Sequence, residues 1–433
     1  MSLSRLEQIT GFSKLPLDRR MWLQGLSQAH GFSLQQLRFL VEYSLDLICW
    51  DMDGLERFYR PEVAGKATGK QAAAKIFTQL KSAYEALKNT QKHYQADHLF
   101  TSGEVRFPEE QMVQTDLKGA VMGKCPVASE KTRCCNLNTL DAVHQCGFDC
   151  SYCSIQSFYH GNQVRFVRDL ARHLEGLTLE KDTPVHIGTG QSSDSLMWGN
   201  RFGLLDNLTR FAATHPRVIL EMKSKSSRIG YFLTHPPPFN MVFTWSLNTP
   251  AVITAEEKGT APLEKRIQSA RKLADRGIPV GFHFHPMVWY KGWEADYRAV
   301  VSRLTEAFSP REVVMVSIGT LTFIKPVIKR IRERMAKTTI LQMPMETCAG
   351  RFSYPFEIKN ALFSTLFQAF PDTWKTAVFF YLCMEDVELW EPVFGRSYPS
   401  NEAFEQDMLR SYQEKIQAVR QNRQARSFQS GLI

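Results

Sequence analysis

Cys146-Gly147-Phe148-Asp149-Cys150-Ser151-Tyr152-Cys153 places three thiols at x3 and then x2 spacing on one short loop. Three thiolates this close can hold three irons of a cubane iron–sulfur cluster. No fourth cysteine follows at cluster spacing, so the fourth iron would stay open. The alternative is structural zinc, which wants four nitrogen or sulfur ligands, usually as two pairs. Cys150 and Cys153 make one such pair, but Cys146 stands at an unusual spacing. Cys134 and Cys135 make a poor second pair, because neighbouring side chains diverge. Thiolates select both kinds of centre, and here the spacing favours the cluster.

Outward from this loop the texture is that of strands alternating with helices. Strands are expected near Leu140–Gln145, Val185–Gly190, Val218–Met222, Met241–Asn248, Val280–Met287 and Val313–Gly319. Amphipathic helical stretches lie between them at Val164–Leu177, Leu204–Thr214 and Leu263–Arg276, the last ended by Gly277. Alternation at this spacing implies a parallel sheet with helices outside it. Six such units give an α/β fold, an open, partial (β/α)6 barrel of TIM type, with functional groups at the C-terminal ends of the strands. The cysteine loop follows the first strand and so falls at that rim.

Both flanks read as helical. Leu34–Trp50 and Lys70–Lys92 carry apolar residues at helical spacing, and a polar segment from Thr101 to Glu130 leads into the cysteine region. After about Thr339 the pattern turns helical again, with turn-rich Cys348–Pro355 as the join. The expected organisation is a helical region over 1–115, the partial barrel over 116–340 and a helical region over 341–433. There is no internal repeat or low-complexity tract.

The chain has 433 residues, 43% of them hydrophobic, enough for a large core with additions. Of its nine cysteines, six lie between Cys125 and Cys153, which suits metal or redox chemistry in a reducing cytosol better than a disulfide framework. The N-terminus lacks the apolar core of a signal peptide and no apolar run approaches spanning length, so a soluble, cytoplasmic protein is expected. The net charge of +9 is compatible with nucleic acid without requiring it. Lys415, Arg420, Arg423 and Arg426 concentrate part of it in a Gln-rich helical tail, either a solvated face or a nucleic-acid contact.

A family resemblance emerges from a longer pattern. The three-cysteine loop is the signature of the radical S-adenosylmethionine (SAM) enzymes. Ser246-Leu-Asn-Thr, Lys258-Gly-Thr-Ala-Pro-Leu-Glu-Lys-Arg-Ile, Gly277-Ile-Pro-Val-Gly-Phe and Gly292-Trp-Glu-Ala-Asp-Tyr narrow it further. Together they resemble spore photoproduct lyase and its relatives, DNA-repair enzymes, over residues 120–325. The resemblance implies that Cys146, Cys150 and Cys153 bind a [4Fe–4S] cluster whose open iron holds SAM. Lys225 and Ser246, separated by the family's 21-residue interval, would contact the SAM carboxylate. An ammonium at a strand's rim and a hydroxyl are suitable donors for that group, although alone they read as a surface lysine and a core hydroxyl. Tyr152 would stack on the adenine. Asp194 matches a Ser-Asp pair near the family's reaction centre. A low-potential electron donor of flavodoxin or ferredoxin type and a nucleic-acid substrate are also implied. A pyrimidine lesion would have to leave the base stack, onto a basic mouth lined by aromatics such as Trp289, Tyr290 and Phe352.

Two departures accompany the match. Gln191 stands where the family has the cysteine that returns a hydrogen atom, and Ser154 stands where it has a tyrosine. Cys134 and Cys135 are then candidates for that catalytic role, for a second metal site, or for packing. Cys125 precedes them in a run shared with a subgroup of the family, Cys348 sits in a Gly-Arg-aromatic turn, and Cys383 reads as core. His283 and His285 share one face of their strand, either as active-site groups or as hydrogen-bonded interior residues. The expected function is radical hydrogen abstraction from a nucleic-acid base, in the manner of DNA photoproduct repair. The alternatives are radical chemistry on a modified nucleoside, RNA or peptide, and a non-catalytic iron–sulfur binding or redox-sensing protein.

Overall fold

The structure, a computed structural model, describes residues 5–94, 111–117, 119–125, 132–158, 163–179, 183–334, 337–348 and 350–430. For Phe158, Cys348 and 422–430 only the backbone is described. Most of the polar segment from Thr101 to Glu130, and the side chains of Cys348, Arg423 and Arg426, therefore lie outside the described residues. The chain divides into two compact units, one of 1–93, 151–157 and 322–354, the other of 94–150, 158–321 and 355–433.

The larger unit is organised by an eight-stranded sheet whose strands lie side by side in chain order. They are β1 (Met122–Lys124), β2 (Asn138–Leu140), β3 (Val185–Thr189), β4 (Val218–Ser224), β5 (Met241–Ser246), β6 (Val280–Met287), β7 (Val313–Thr320) and β8 (Phe379–Leu382). β2 to β8 run parallel, and β1 is an antiparallel edge. Every residue of β5, β7 and β8 is buried, as expected of strands covered on both faces. Helices Leu204–Thr214, Leu263–Ala274, Trp293–Ala307 and Phe356–Ala369 make four of the crossovers. Crossing always to the same side curls the sheet into a half-barrel.

Five of the six expected strands are β3 to β7; the first, Leu140–Gln145, meets β2 only at Leu140, and one further strand is added at each edge. The first ends earlier than expected, because Val143–His144 leaves this sheet to pair with Val164–Val167. That pairing also corrects the helix expected over Val164–Leu177. Val164, Phe166 and Val167 are buried in a small sheet with Met112–Thr115, and the helix is only Leu170–Glu175. The β-branched Val-Arg-Phe-Val run suits a pleated surface better than a helix.

The smaller unit holds the helices Leu17–Ala29, Leu34–Cys49 and Gly69–Lys88. The second starts in a capping box in which the Ser33 hydroxyl accepts from Gln36 N–H and Ser33 N–H donates to the Gln36 side chain. Tyr43 and Tyr84 stack at 4.0 Å, and Arg332 donates to both carboxylate oxygens of Asp46 at 2.8 Å. The turn-rich join expected at Cys348–Pro355 begins with a hairpin of Glu346–Cys348 and Arg351–Ser353. Among the described residues no helix is long and apolar enough to cross a membrane.

Candidate active site

The half-barrel's polar interior is organised by Glu221, in the middle of β4. Its Oε1 accepts from His283 Nε2 and Thr244 Oγ1, both at 2.6 Å, and its Oε2 accepts from His186 Nε2 at 2.8 Å. The strand registers put these groups level, with Gly188 opposite Glu221 and Ser246 opposite His283. Burial acts to raise the Glu221 pKa, but His283, charged in the acid range where the carboxyl titrates, and the two imidazole hydrogen bonds outweigh it and hold the carboxyl well below its usual range. Burial and the neighbouring Lys223 ammonium push His283 down to about 4, so this imidazole is neutral near pH 7. His285 is likewise lowered by burial and Lys223, and its Nε2 meets Ser317 Oγ at 3.0 Å. Both strand histidines thus share the interior face and are hydrogen-bonded there.

Above this hub lies a cleft of about 650 Å³, open solvent included, lined by Cys125, Cys134, Cys135, Gln191, Lys223 and Cys383 among others. One side is closed by the segment ahead of β2. Arg133 N–H donates to Glu385 O at 3.2 Å, Arg133 Nε to Tyr398 O at 2.8 Å, and Cys134 N–H to Asn401 Oδ1 at 3.0 Å. These bonds hold Cys134 and Cys135 beside the end of β8, where Cys383 N–H donates to Ile318 O at 2.8 Å. Cys383, expected in the core, is half-buried on the cleft wall because it stands one residue past β8.

The cysteine loop is fixed from two sides. Asp194 is one anchor. Its carboxylate accepts from Leu196 N–H (3.0 Å), Met197 N–H (2.9 Å), Ser224 Oγ (2.9 Å) and Lys225 N–H (2.7 Å). Burial pushes the Asp194 pKa up, against these same hydrogen bonds. The turn it caps sets Met197 Sδ 3.8 Å from Cys146 Sγ, where it also accepts from Gly147 N–H at 3.3 Å. The other anchor is Arg266, fully buried and paired to Glu257 at 2.6 Å. Glu257 and Lys258 form a two-residue antiparallel pairing with Cys150 and Asp149. Arg266 also donates to Ser246 O at 2.8 Å and Ala261 O at 2.7 Å, and Ala261 N–H donates to Lys225 O at 2.9 Å.

Lys225 therefore follows β4 directly, half-buried, while Ser246 ends β5 at 2% exposure. Tyr152 and Cys153 lie in the smaller unit, both half-buried, with Gln156 N–H donating to Cys153 O at 3.4 Å. Tyr290, expected at an aromatic mouth, is instead buried, its hydroxyl between Thr249 and Asp296. Of the basic tail, Lys415 donates to Pro310 O and Ala377 O, and Arg420 lies over the Phe239 ring at 4.4 Å.

Among the described residues no three His, Cys, Asp or Glu side chains are gathered as a metal site. The donor set of the loop nonetheless suits an iron–sulfur cluster. No disulfide consumes its thiols, and Cys146 Sγ accepts from Phe148 N–H at 3.4 Å, the kind of bond that stabilises a cluster thiolate. Glu221, Met197 and the Arg266–Glu257 pair escaped the sequence reading. Glu221 did leave a signal, a carboxylate inside the apolar run Val218-Ile-Leu-Glu-Met.

Together these features define a half-barrel α/β protein in which Cys146 and Cys150 are tied to the ends of the parallel strands. The comparisons carry this further. Residues 189–356 match the family model "Spore photoproduct lyase". Spore photoproduct lyase of Bacillus subtilis (strain 168) is 36% identical over 107 residues, covering 24% of this chain and 31% of that protein. Its counterpart in Clostridium acetobutylicum is 24% identical over 181 residues, covering 40% and 53%. The chain thus spans about a third to a half of the curated relatives it matches. A solved structure of spore photoproduct lyase complexed with dinucleoside spore photoproduct has the same fold, with a TM-score of 0.54 at 18% identity, covering 63% of this chain and 82% of that one. Across residues 189–356 the chain is thus similar to the spore photoproduct lyase family, a family of enzymes.

Proposed function

We propose that this protein is a radical SAM enzyme that abstracts hydrogen from a nucleic-acid base, acting on a DNA photoproduct. The observation that carries the reading is the joint anchoring of Cys146 and Cys150 to the strand ends that bear Lys225 and Ser246. Cys146, Cys150 and Cys153 would hold a [4Fe–4S] cluster, which when loaded supplies one electron to SAM and so a 5′-deoxyadenosyl radical. Lys225 and Ser246 would bind the SAM carboxylate and Tyr152 its adenine. Asp194, whose carboxylate is filled by backbone and hydroxyl donors, serves as a positioning group. The matched family, and the dinucleoside spore photoproduct held by the solved lyase of the same fold, support a dinucleoside photoproduct as substrate.

The test is anaerobic. Reconstituted protein with dithionite and SAM is expected to form 5′-deoxyadenosine, and no product above a Cys150→Ala control refutes the enzyme reading. Adding dinucleoside spore photoproduct should then release thymidine. One observation favours a second substrate class. Gln191, which carries no thiol, lines the cleft, so 5′-deoxyadenosine formation without repair would point to a modified nucleoside, RNA or a peptide.

A further inference from the structure

Four cysteines that the proposed chemistry does not use, Cys125, Cys134, Cys135 and Cys383, converge on the cleft from three separate chain segments. None is in a disulfide. Cys134 and Cys135 are adjacent in the chain and share the cleft wall with Cys125 and Cys383. A packing role needs none of this. Buried cysteines in a core are ordinarily scattered among apolar side chains, whereas this wall also carries Lys223 and an imidazole.

That imidazole supplies a second, independent observation. His283 is 4% exposed and its Nε2 is held by Glu221 at 2.6 Å, but its Nδ1 is buried without a hydrogen-bond partner. Buried polar atoms are rarely left unmatched. An imidazole whose far nitrogen is fixed by a carboxylate is the arrangement that presents the near nitrogen's lone pair to a metal. Neutral imidazole and clustered thiols are also the donors that soft and borderline metals select.

We propose that the cleft is a second metal site, independent of the Cys146–Cys153 loop, with ligands drawn from Cys125, Cys134, Cys135, Cys383 and His283 Nδ1. As they stand, these side chains are not at ligating separation. Binding would draw in the thiols, all of which lie outside regular strands and helices. Each thiol that becomes a ligand releases its proton to solvent, so loading strengthens as pH rises.

The experiment uses the full chain with Cys146, Cys150 and Cys153 all changed to Ala, so that its outcome does not depend on radical chemistry. One arm titrates Co²⁺ and reads the thiolate-to-cobalt charge-transfer band. The other supplies Fe²⁺ and sulfide and reads cluster absorption with iron and sulfide content. The expected result is about one thiolate-bound centre per chain in one arm, which distinguishes a mononuclear site from a cluster. Loss of that centre is expected in Cys383→Ser and in Cys125→Ser, each checked for native circular dichroism. Glu221→Gln should weaken loading about 10- to 100-fold. Absence of a centre in both arms, or loading of the two serine variants equal to that of their parent, overturns the proposal and leaves these thiols to packing or to hydrogen donation.

Discussion

Arg266 offers a sharp test of how the site is held. Its side chain is fully buried, Glu257 facing it is 1% exposed, and the guanidinium also serves Thr260 Oγ1, Ser246 O and Ala261 O. Arg266→Met keeps the apolar stem but leaves the Glu257 carboxylate buried without its counter-charge. Breaking a buried pair from one side costs about 3–5 kcal/mol, because the orphaned charge keeps its full desolvation penalty. With a urea m-value of about 3 kcal/mol/M, the unfolding midpoint should fall by about 1–1.7 M. The double variant Arg266→Met/Glu257→Met removes the orphaned charge. It should recover most of that loss, since replacing a whole buried pair by apolar groups is often neutral or stabilising. A single variant within about 0.5 M of wild type, or a double variant as unstable as the single ones combined, would refute the reasoning. Because Glu257 pairs with Cys150, the single variant should also load less iron than wild type under the same anaerobic reconstitution.

The buried imidazole predicts an acid limb. His283 falls from an ordinary 6.5 to about 4 in the fold, so its neutral form contributes stability that is complete above pH 6.5 and is lost as pH falls towards 4. At 1.36 kcal/mol per unit this is about 3 kcal/mol, and His283→Gln should flatten the stability–pH curve over that window. Glu221, held below its usual range, adds a loss at still lower pH, visible as residual slope below pH 4.5 in the same curve. Asp194→Asn replaces one accepting oxygen with an NH2 donor that faces the donors at Ser224 and Lys225 or at Leu196 and Met197, and should cost about 1–3 kcal/mol in denaturant unfolding. Lys225→Ala should weaken SAM binding about 10-fold or more by calorimetry, consistent with the loss of a charged hydrogen bond of about 1.5–3 kcal/mol; unchanged affinity would remove Lys225 from the SAM site.

What the sequence revealed of the fold depended on how much of each element's fate was local. β7 is a long, mostly apolar run and β6 alternates Phe282 and Phe284 with His283 and His285, and both were legible almost to the residue. Val164–Val167 was not, because its apolar residues satisfy a helical and an extended pattern alike, and pairing with Met112–Thr115 decides between them. The same limit hid the cleft wall. Cys383 reads as core from its neighbours Tyr381 and Leu382, yet it stands one residue beyond the strand and turns to the cleft. Tyr290 failed in the opposite sense, since hydrogen bonds to Thr249 and Asp296 make a buried site affordable for its hydroxyl. Residues that match a motif could be singled out as candidates in advance; those that hold them, such as Arg266 and Met197, could not, because their partners are distant in sequence.

Those supporting residues explain why the motif's pieces belong together. Asp194 binds the backbone of Lys225 and, through the turn it caps, sets Met197 against Cys146. Arg266 binds the carbonyl of Ser246 and, through Glu257, the strand that pairs with Cys150. Each of these two cysteines is thus tied by one buried charge to one of the two residues expected to hold SAM. Coupling of this kind makes the spacing of thiols and SAM contacts a property of two networks rather than of loop flexibility. Substitutions at Asp194 or Arg266, neither of which needs to touch a ligand, should therefore disturb iron loading and SAM affinity together, whereas Lys225→Ala should disturb SAM affinity alone.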